Sequence, residues 1–257
     1  MSDAPAQQQQ TFSHYPALPV PARVRLHVFP EHDCAYLPGR AARLRAFFAQ
    51  RVDPDVYHDL MDAGFRRSGR MVYQPVCRGC RACVPIRVPV DRFRPNRSQR
   101  RCARRNADVH VAVAAPQPTR EKFDLYHRYV RQWHGVADPG SRGEFESFLY
   151  DSPVDTIEFT YRAGGPGGAL LAVGVCDLCA PRSLSSVYFW FEPAQERRGL
   201  GTFGALAEIA HARALGVEHY YLGYWVQACA AMSYKSAFRP YQLLDTDGVW
   251  REIPSPP

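Results

Sequence analysis

The sequence predicts an α+β fold in which a mostly antiparallel sheet fills the second half of the chain. Two strand-like runs, residues 156–161 and 169–176, are joined by Gly164-Gly-Pro-Gly-Gly168, which is a hairpin signal. A third run, residues 185–191, is aromatic and alternates as a strand does. A glycine-containing turn and an alanine-rich helix come next, before a further strand at residues 219–226. This order of elements is typical of a meander followed by one crossover helix.

The first half is predicted to mix short helices and strands. Residues 53–63 form a helix, with Asp53 as N-cap and Pro54 at its first position. Thr119 is placed to cap another helix that runs to about His134. The remaining predicted elements are strands at residues 24–29, 71–74, 84–90 and 109–114, helices at residues 39–50, 96–106 and 144–150, and a helix from Gly199 to about Leu215.

The 257 residues are enough for one large or two small domains. We expect a flexible tail at residues 1–20, an N-terminal domain rich in cysteine and arginine at residues 21–115, and a C-terminal domain at residues 116–257. No apolar run reaches about 18 residues, so no membrane span is expected. The polar, glutamine-rich N-terminus does not resemble a secretory signal. A cytoplasmic location follows, where cysteines are expected to be reduced, buried or metal-bound.

Positive charge is concentrated in one segment. Between Gly64 and Arg105 there are thirteen arginines and one acid, Asp91, which gives this segment a formal charge of +12. The whole chain carries only +7, so the other residues are net acidic. Such an asymmetry favours an anionic partner, and it points towards a nucleic acid.

The densest part of this charge lies on the helix predicted at residues 96–106. Its arginines share one helical face or lie beside it, and no acid occurs among them. They are Arg97, Arg100, Arg101, Arg104 and Arg105. We interpret this face as a surface that binds phosphate or carboxylate groups. Arg66 and Arg67 form a second candidate site, a fork that can hold a carboxylate.

The spacing of Cys77, Cys80 and Cys83 allows three thiolates to point to one centre. A tetrahedral metal needs a fourth ligand, for which Cys34 is the candidate and Cys102 the second choice. Two alternatives stay open. One is a Zn or Fe–S site at Cys34, Cys77, Cys80 and Cys83, and the other is a reduced thiol cluster packed under a loop. The remaining cysteines lie in apolar runs and are expected in the core, namely Cys176, Cys179 and Cys229.

The segment Arg197-Arg198-Gly199-Leu200-Gly201 lies between a predicted strand and a predicted helix. Converging backbone N–H groups and a helix N-terminus make such a loop an anion cradle. In acyltransferases of the GCN5-related N-acetyltransferase fold, a loop of this kind holds the pyrophosphate of acetyl-CoA. A plain turn into a helix would have the same sequence pattern. Tyr224 and Trp225, which leave the next strand, suit base stacking, an acyl pocket or the core.

Lysine is rare in this chain. Lys122 and Lys235 are the two lysines among 32 basic residues. Because arginine serves wherever positive charge alone suffices, a retained lysine can mark a place where a compact ammonium is needed.

Together these segments resemble the arginyl-tRNA–protein transferase family, and most of all its bacterial branch of aspartate/glutamate leucyltransferases. Each block is modest alone, but the ordered set over roughly residues 30–250 is specific. The blocks are Cys34-Ala-Tyr-Leu-Pro-Gly-Arg40, Gly64-Phe-Arg-Arg-Ser-Gly69, Tyr73-Gln-Pro-Val-Cys77, Cys83-Val-Pro-Ile-Arg87, Phe93-Arg-Pro-Asn-Arg-Ser-Gln-Arg-Arg101, Asn106-Ala-Asp108, Tyr188-Phe-Trp-Phe-Glu-Pro193, Tyr221-Leu-Gly-Tyr-Trp225 and Met232-Ser-Tyr-Lys-Ser-Ala-Phe238.

The resemblance implies a cysteine-bearing N-terminal region packed on a domain similar to the GCN5-related N-acetyltransferases, with a central, mostly antiparallel sheet. It implies an aminoacyltransferase that moves leucine from leucyl-tRNA to an N-terminal Asp or Glu, which marks the acceptor protein for N-end rule degradation. Its partners would be leucyl-tRNA and such proteins or peptides, with no DNA and no membrane. The ester is already activated, so the chemistry needs no cofactor, and Zn or Fe–S at the cysteines would be structural.

The resemblance also implies a role for each candidate residue. Arg66 and Arg67 would bind the acidic N-terminus, and Lys235 would stabilise charge near the ester while Tyr234 relays a proton. No general base is identified. Binding of tRNA is expected from the arginine helix and from the later residues Arg198, Gly199, Gly201, Tyr224 and Trp225.

Two functions of other classes stay open on the sequence. The glycine loop alone would suit a CoA-dependent N-acetyltransferase. The cysteine cluster and the arginine face alone would suit a noncatalytic, zinc-dependent RNA-binding module.

Overall fold

The computed structural model describes residues 24–254, so the tail predicted at residues 1–20 lies outside the described residues. The helices are α1 (Pro54–Asp62), α2 (Arg97–Arg105), α3 (Arg120–Trp133), α4 (Arg142–Leu149), α5 (Leu200–Ala214) and α6 (Ala230–Ser233). The strands are β1 (His27–Val28), β2 (His32–Asp33), β3 (Ala41–Ala42), β4 (Leu44–Phe48), β5 (Arg66–Ser68), β6 (Met71–Pro75), β7 (Val84–Pro89), β8 (Val109–Ala114), β9 (Thr156–Ala163), β10 (Leu170–Cys179), β11 (Ser183–Phe191), β12 (His219–Trp225), β13 (Tyr241–Leu244) and β14 (Trp250–Ile253). Two 3₁₀ turns cover Pro193–Arg198 and Tyr234–Ala237.

An eight-stranded sheet forms the centre of the fold, in the order β14-β13-β7-β12-β11-β10-β9-β8. Its neighbouring strands are antiparallel except for β11 and β12. The predicted α+β class with a central, mostly antiparallel sheet is thereby confirmed. The first part of the chain adds a four-stranded sheet, β1-β4-β6-β5, and the two-stranded pair β2-β3.

The central sheet takes strands from both predicted domains. β7 lies between β13 and β12, and β8 forms the outer edge, although both precede residue 116. The junction of residues 115 and 116 therefore does not separate two sheets, and the division of the chain into folding units stays a prediction.

The parallel pair β11 and β12 is joined by the crossover helix α5. The two strands pair over three residues each, Ser183–Ser185 beside His219–Tyr221. β11 then continues to Phe191 and β12 to Trp225, so their carboxyl ends are no longer hydrogen-bonded to each other. α5 packs closely on β11, because a Cβ atom at Gly204 would lie 2.2 Å from the Phe189 ring.

Two apolar cores hold these layers together. The larger core covers the central sheet and includes Phe159, Tyr161 and Trp190, all fully buried. The smaller core lies under α1 and brings Met61 against Tyr221. Since Tyr221 belongs to β12, the smaller core fixes the first part of the chain to the central sheet.

The helix predicted at residues 39–50 is wrong. Residues Ala41–Ala42 and Leu44–Phe48 are strands, and the second of these pairs along its whole length with β6. The alternation of arginines and apolar side chains suits both periods, and cross-strand pairing decides between them. The strand predicted at residues 24–29 is shorter than expected, at His27–Val28. Sequence reasoning missed β5, β13 and β14, which are three or four residues long.

Both lysines are buried. Lys122 Nζ donates to Gln117 O at 2.8 Å and pairs with Glu158, which also accepts a hydrogen bond from Tyr150. Among residues 24–254, no helix is long and apolar enough to cross a bilayer.

Candidate active site

Two cations meet at an irregularity in β12. The pairing of β12 with β7 shifts register between Tyr221 and Tyr224, and Gly223 has a positive φ of 83°. Arg66 Nη2 donates to Gly223 O at 3.3 Å, and Lys235 Nζ donates to Tyr224 O at 2.7 Å. Two successive carbonyl groups of one strand thus hold the two positive side chains, and we call Arg66 and Lys235 the cation pair.

Lys235 lies in a dry environment. Its residue surface is 8% exposed, and burial, followed by the neighbouring Arg66, lowers the pKa of its amine to about 7. The thiols of Cys229 and Cys83 act in the opposite direction. Near neutral pH a large fraction of Lys235 is therefore an uncharged amine, which can donate to Tyr224 O and still offer a lone pair.

Arg66 is held in place without a carboxylate. Its Nη1 donates to Met61 O at 3.1 Å, and its guanidinium lies 5.2 Å from the Tyr221 ring and 5.4 Å from the Tyr224 ring. The buried Nε of Arg66 has no hydrogen-bond partner among the described residues. Within residues 24–254, no acidic side chain forms an ion pair with Arg66 or Lys235. A buried cation without a counter-charge is costly, so the arrangement is suited to an anionic ligand.

Two tyrosines near the cation pair, Tyr36 and Tyr73, were not among the predicted site residues. Tyr73 pairs with Arg66 across β5 and β6, and its ring lies 6.3 Å from that of Tyr224. Tyr36 lies next to Tyr73, Cys83 and Cys229, and burial raises the pKa of its phenol. Cys229 was expected in the core but is only half-buried, beside Lys235. The sequence signal for Tyr36 and Tyr73 was their position inside two of the motif blocks.

The predicted arginine helix exists as α2. Asn96 caps it and forms a capping box with Gln99, and all five candidate arginines are exposed. Within residues 24–254, none of these five arginines forms an ion pair with a carboxylate. Their charge is therefore available to an anionic partner, as the sequence predicted.

α2 also connects two turns of the molecule. Near its start, Gln99 Nε2 donates to Ala237 O at 3.2 Å, in the turn that carries Lys235. At its end, Cys102 Sγ lies 3.3 Å from Gly199 O, and Asn106 Nδ2 donates to Arg198 O at 2.9 Å. The arginine face, the glycine turn and the cation pair are thus parts of one continuous structure.

The glycine turn combines a positive-φ glycine with an uncapped helix start, a geometry that suits both a plain turn into a helix and an anion cradle. Gly199 has a φ of 69°, and α5 begins directly after it without a side-chain cap. Gly201 lies in the first turn of α5. Arg198 is less available than predicted, because it binds both carboxylate oxygens of Asp108, at 2.8 and 3.0 Å.

Two family models match this sequence. The one described as "Arginine-tRNA-protein transferase, N terminus" matches residues 32–101, and the one described as "Arginine-tRNA-protein transferase, C terminus" matches residues 121–245. The aspartate/glutamate leucyltransferase of Pseudomonas fluorescens (strain Pf0-1) is 45% identical over 227 residues, which are 87% of this chain and 94% of that protein. The chain belongs to the arginine-tRNA-protein transferase family. The resemblance inferred from the motif blocks is thereby confirmed.

A second relative supports the same branch of the transferase family. The aspartate/glutamate leucyltransferase of Pseudomonas savastanoi pv. phaseolicola is 45% identical over 233 residues, which are 89% of this chain and 97% of that protein.

Among solved structures, the C-terminal domain of a putative lysylphosphatidylglycerol synthetase from Agrobacterium fabrum matches with a TM-score of 0.48 at 14% identity. The match covers 80% of this transferase-family chain and 65% of the other. L-PGS from Bacillus licheniformis also has a TM-score of 0.48, at 11% identity, with 83% and 79% coverage. At these scores the likeness carries no functional argument.

Arg67 cannot serve this transferase as a substrate ligand, which corrects the prediction. Its side chain and that of Asp177 are both 0% exposed, and Nε and Nη2 bind the two carboxylate oxygens at 2.7 Å each. Successive residues of a strand point to opposite faces, so β5 turns Arg66 towards β12 and Arg67 towards β10. Of the predicted fork, only Arg66 remains.

The predicted aromatic site for the terminal adenosine also needs correction. Tyr224 is buried, and its hydroxyl donates to Gly64 O at 2.7 Å, so its ring is not open to stacking by a base. Trp225 is half-buried, and its indole N–H has no partner among the described residues. Tyr234 is 44% exposed and packs edge-on against Phe238. Its proposed role as a proton relay stays a prediction.

The cysteines are arranged differently from a metal site. All four candidates are free thiols, and Cys83 lies near the other three, Cys34, Cys77 and Cys80, which help burial to raise its pKa to about 12. Across the described part of the chain, no three His, Cys, Asp or Glu side chains converge as metal ligands would. The second choice, Cys102, is buried beside Gly199 instead. The Zn or Fe–S site stays a prediction that this geometry does not favour.

Proposed function

We propose that this chain transfers leucine from leucyl-tRNA to the α-amine of proteins that begin with Asp or Glu. The observation that carries the proposal is the cation pair, two buried basic side chains without an acidic partner in residues 24–254. The names of the relatives supply the donor and acceptor classes. The product would carry an N-terminal leucine, which marks it for N-end rule degradation, and leucyl-tRNA places the reaction in the cytoplasm.

Arg66 is assigned to the acidic side chain of the acceptor. Its orphan Nε and its fixed guanidinium plane suit a carboxylate, which can accept two parallel N–H bonds. The aromatic rings of Tyr221 and Tyr224 hold this plane at 5.2 and 5.4 Å, so that little side-chain entropy is lost on binding.

Lys235 is assigned as the base that removes a proton from the attacking amine. An N-terminal ammonium has a pKa of about 8, and it must lose a proton before it attacks the ester carbonyl. A neutral lysine with a pKa of about 7 can accept this proton, and a group with a pKa near the working pH is the most effective base. The C–N bond then forms and the ester C–O bond breaks. The ammonium nitrogen loses two protons in becoming an amide: one passes through Lys235 to the departing ribose oxygen, which leaves as a hydroxyl, and the other goes to solvent. No covalent enzyme intermediate and no cofactor are needed in this scheme.

The donor is assigned to α2 and the glycine turn. The five exposed arginines of α2 match a polyanion, and the backbone N–H groups after Gly199 suit a phosphate at the acceptor end. α2 contacts Ala237 through Gln99, on the side of the helix opposite its arginines, so the helix that carries the proposed tRNA-binding face also packs on the turn of Lys235.

The test is transfer of radiolabelled leucine from leucyl-tRNA to three peptides that differ only in their first residue, Asp, Glu or Ala. Label is expected on the Asp and Glu peptides and not on the Ala peptide. Arginyl-tRNA in place of leucyl-tRNA tests the donor. Labelling of the Ala peptide alone, or transfer that does not require the tRNA ester, would refute the proposal.

Arg66→Ala is expected to raise KM for the Asp peptide by about 10- to 100-fold, because a hydrogen bond between charged groups contributes about 1.5–3 kcal/mol. Loss of the neighbouring cation should also raise the pKa of Lys235. The midpoint of the rise in rate with pH should therefore move from about 7 to a higher pH. The matched control is Arg70→Ala, a surface arginine paired with Asp151. An unchanged acceptor KM would contradict the assignment of Arg66.

Arg101→Ala and Arg104→Ala are each expected to weaken tRNA binding and to reduce the slope of log K against log salt by about 1. Both side chains are exposed, so the fold should be unaffected. Filter binding over a salt series measures the slope, and Arg142→Ala on α4, an exposed arginine paired with Glu146, is the control. A slope equal to that of the unsubstituted protein would exclude a phosphate contact at that arginine.

A further inference from the structure

A cavity of about 990 Å³ opens between the four-stranded sheet, the cysteine loop and the β13–β14 hairpin. The cysteine loop is the segment of residues 76–83 between β6 and β7. Ligand pockets measure about 300–1,000 Å³, so this cavity is large enough for more than one side chain. The proposed chemistry at Arg66 and Lys235 does not use it.

The cavity lies beside the cation pair, although neither Arg66 nor Lys235 lines it. Cys83 lines the cavity and is also a neighbour of Lys235. Pro85, another lining residue, pairs with Tyr224, whose carbonyl accepts the hydrogen bond of Lys235 Nζ. On β6, the lining residue Pro75 lies two positions after Tyr73 and therefore on the same face of that strand. The cavity is therefore the space next to the cation pair on the side formed by β6 and the start of β7.

The lining carries an excess of positive charge. Three arginines, Arg45, Arg81 and Arg251, stand against one acid, Asp245, which is already paired with Arg251. Arg45 is bound to Gln74 Oε1 at 2.8 Å. Arg81 is exposed and forms no ion pair with a described residue. Apolar residues such as Val84 and Leu244 complete the walls.

We propose that this cavity holds about three residues that follow the N-terminal residue of the acceptor polypeptide, and that it favours acidic side chains there. An extended chain advances about 3.3 Å per residue, so three residues span about 10 Å, which is the edge of a cube of 990 Å³. The inference rests on the proposed function, because the first residue of the acceptor must sit at the cation pair. Arg81 is the residue that would select acidic side chains, since it is exposed and forms no ion pair within residues 24–254.

Three peptides of equal length test this, with Asp first and then two Glu, two Ala or two Lys residues. The unsubstituted protein should give the lowest KM for the Glu peptide and the highest for the Lys peptide. Arg81→Glu should raise KM for the Glu peptide by about tenfold, lower it for the Lys peptide and leave it within about twofold for the Ala peptide. KM for leucyl-tRNA should not change. Arg131→Glu, an exposed arginine on α3, is the charge-matched control.

The outcomes separate the two proposals. Equal KM values for the three peptides, or an equal effect of Arg81→Glu on all of them, would overturn the cavity assignment and leave the proposed function intact. A higher KM for leucyl-tRNA with unchanged peptide preference would also overturn it, because Arg81 would then contact the donor. No transfer to any Asp peptide would instead refute the proposed function. Because Arg81 is exposed, the melting temperature of Arg81→Glu should match that of the control.

Discussion

Lys235→Ala is expected to lower kcat by about 10²- to 10⁴-fold, which is the range that general acid–base groups contribute. The physical reason is that the amine, with its pKa lowered to about 7, is a buried base held at the carbonyl group next to the one that holds Arg66. Burial disfavours the charged form, so the neutral form predominates above pH 7 and kcat should rise as pH passes through 7. The pH dependence of the residual rate of Lys235→Ala should reflect only the deprotonation of the acceptor α-amine, whose pKa is about 8.

Lys235→Arg separates a base from a fixed charge. Arginine keeps the positive charge but does not deprotonate at the pH of the assay, so this variant should lose as much activity as Lys235→Ala. Single-turnover rates with saturating leucyl-tRNA, measured from pH 6 to 9 (the range that brackets both pKa values), distinguish the cases. Near-normal activity of Lys235→Arg would show that Lys235 acts through its charge, and the base would have to be sought elsewhere.

Arg67→Ala is expected to destabilise the protein by about 3–5 kcal/mol, the cost of leaving one charge of a buried pair without its partner. Asp177 would keep its position at 0% exposure and lose two hydrogen bonds of 2.7 Å. Urea denaturation gives the free energy of unfolding. Replacing both members by apolar residues, Arg67→Met with Asp177→Leu, should restore most of the lost stability, because no charge then remains buried.

The matched control for Arg67 is Arg51→Ala. Arg51 pairs with Asp155, but the two side chains are 72% and 55% exposed, so the change should stay within about 1 kcal/mol. The structural role of Arg67 would be contradicted if Arg67→Ala unfolded like Arg51→Ala while its KM for Asp peptides rose. Arg66→Ala, by contrast, should raise KM for Asp peptides without breaking a buried ion pair, so two adjacent arginines are expected to separate binding from stability.

Local patterns were sufficient for the elements whose signals lie within a few residues. α1 was predicted from Asp53 and Pro54. Asp53 is its N-cap and Pro54 its first residue, as expected. α2 was predicted from its arginine spacing, and its capping box at Asn96 and Gln99 is equally local. The segment at residues 39–50 failed because its conformation depends on β6, more than twenty residues away. A window of local sequence does not contain that partner.

The site was only partly predictable for the same reason. Lys235 could be found because lysine is rare in this chain, and Arg66 because it stands in an arginine-rich segment with a single acid. The choice between Arg66 and Arg67 depends on which face of β5 meets Asp177, a residue 110 positions away. Likewise, Tyr224 is buried where its hydroxyl donates to Gly64 O, and no local sequence pattern predicts that contact.

The position of α2 makes donor and acceptor energetically dependent on each other. The nine-residue helix is hydrogen-bonded to Ala237 at one end and is anchored against the Gly199 turn at the other. If the donor binds the arginine face of α2 as proposed, ordering of this helix would also stiffen the turn of Lys235. By thermodynamic reciprocity, an acceptor that stiffens this turn would then raise the affinity for the donor by the same factor. Under the proposed function, the pairing of the two substrates would depend on one short helix.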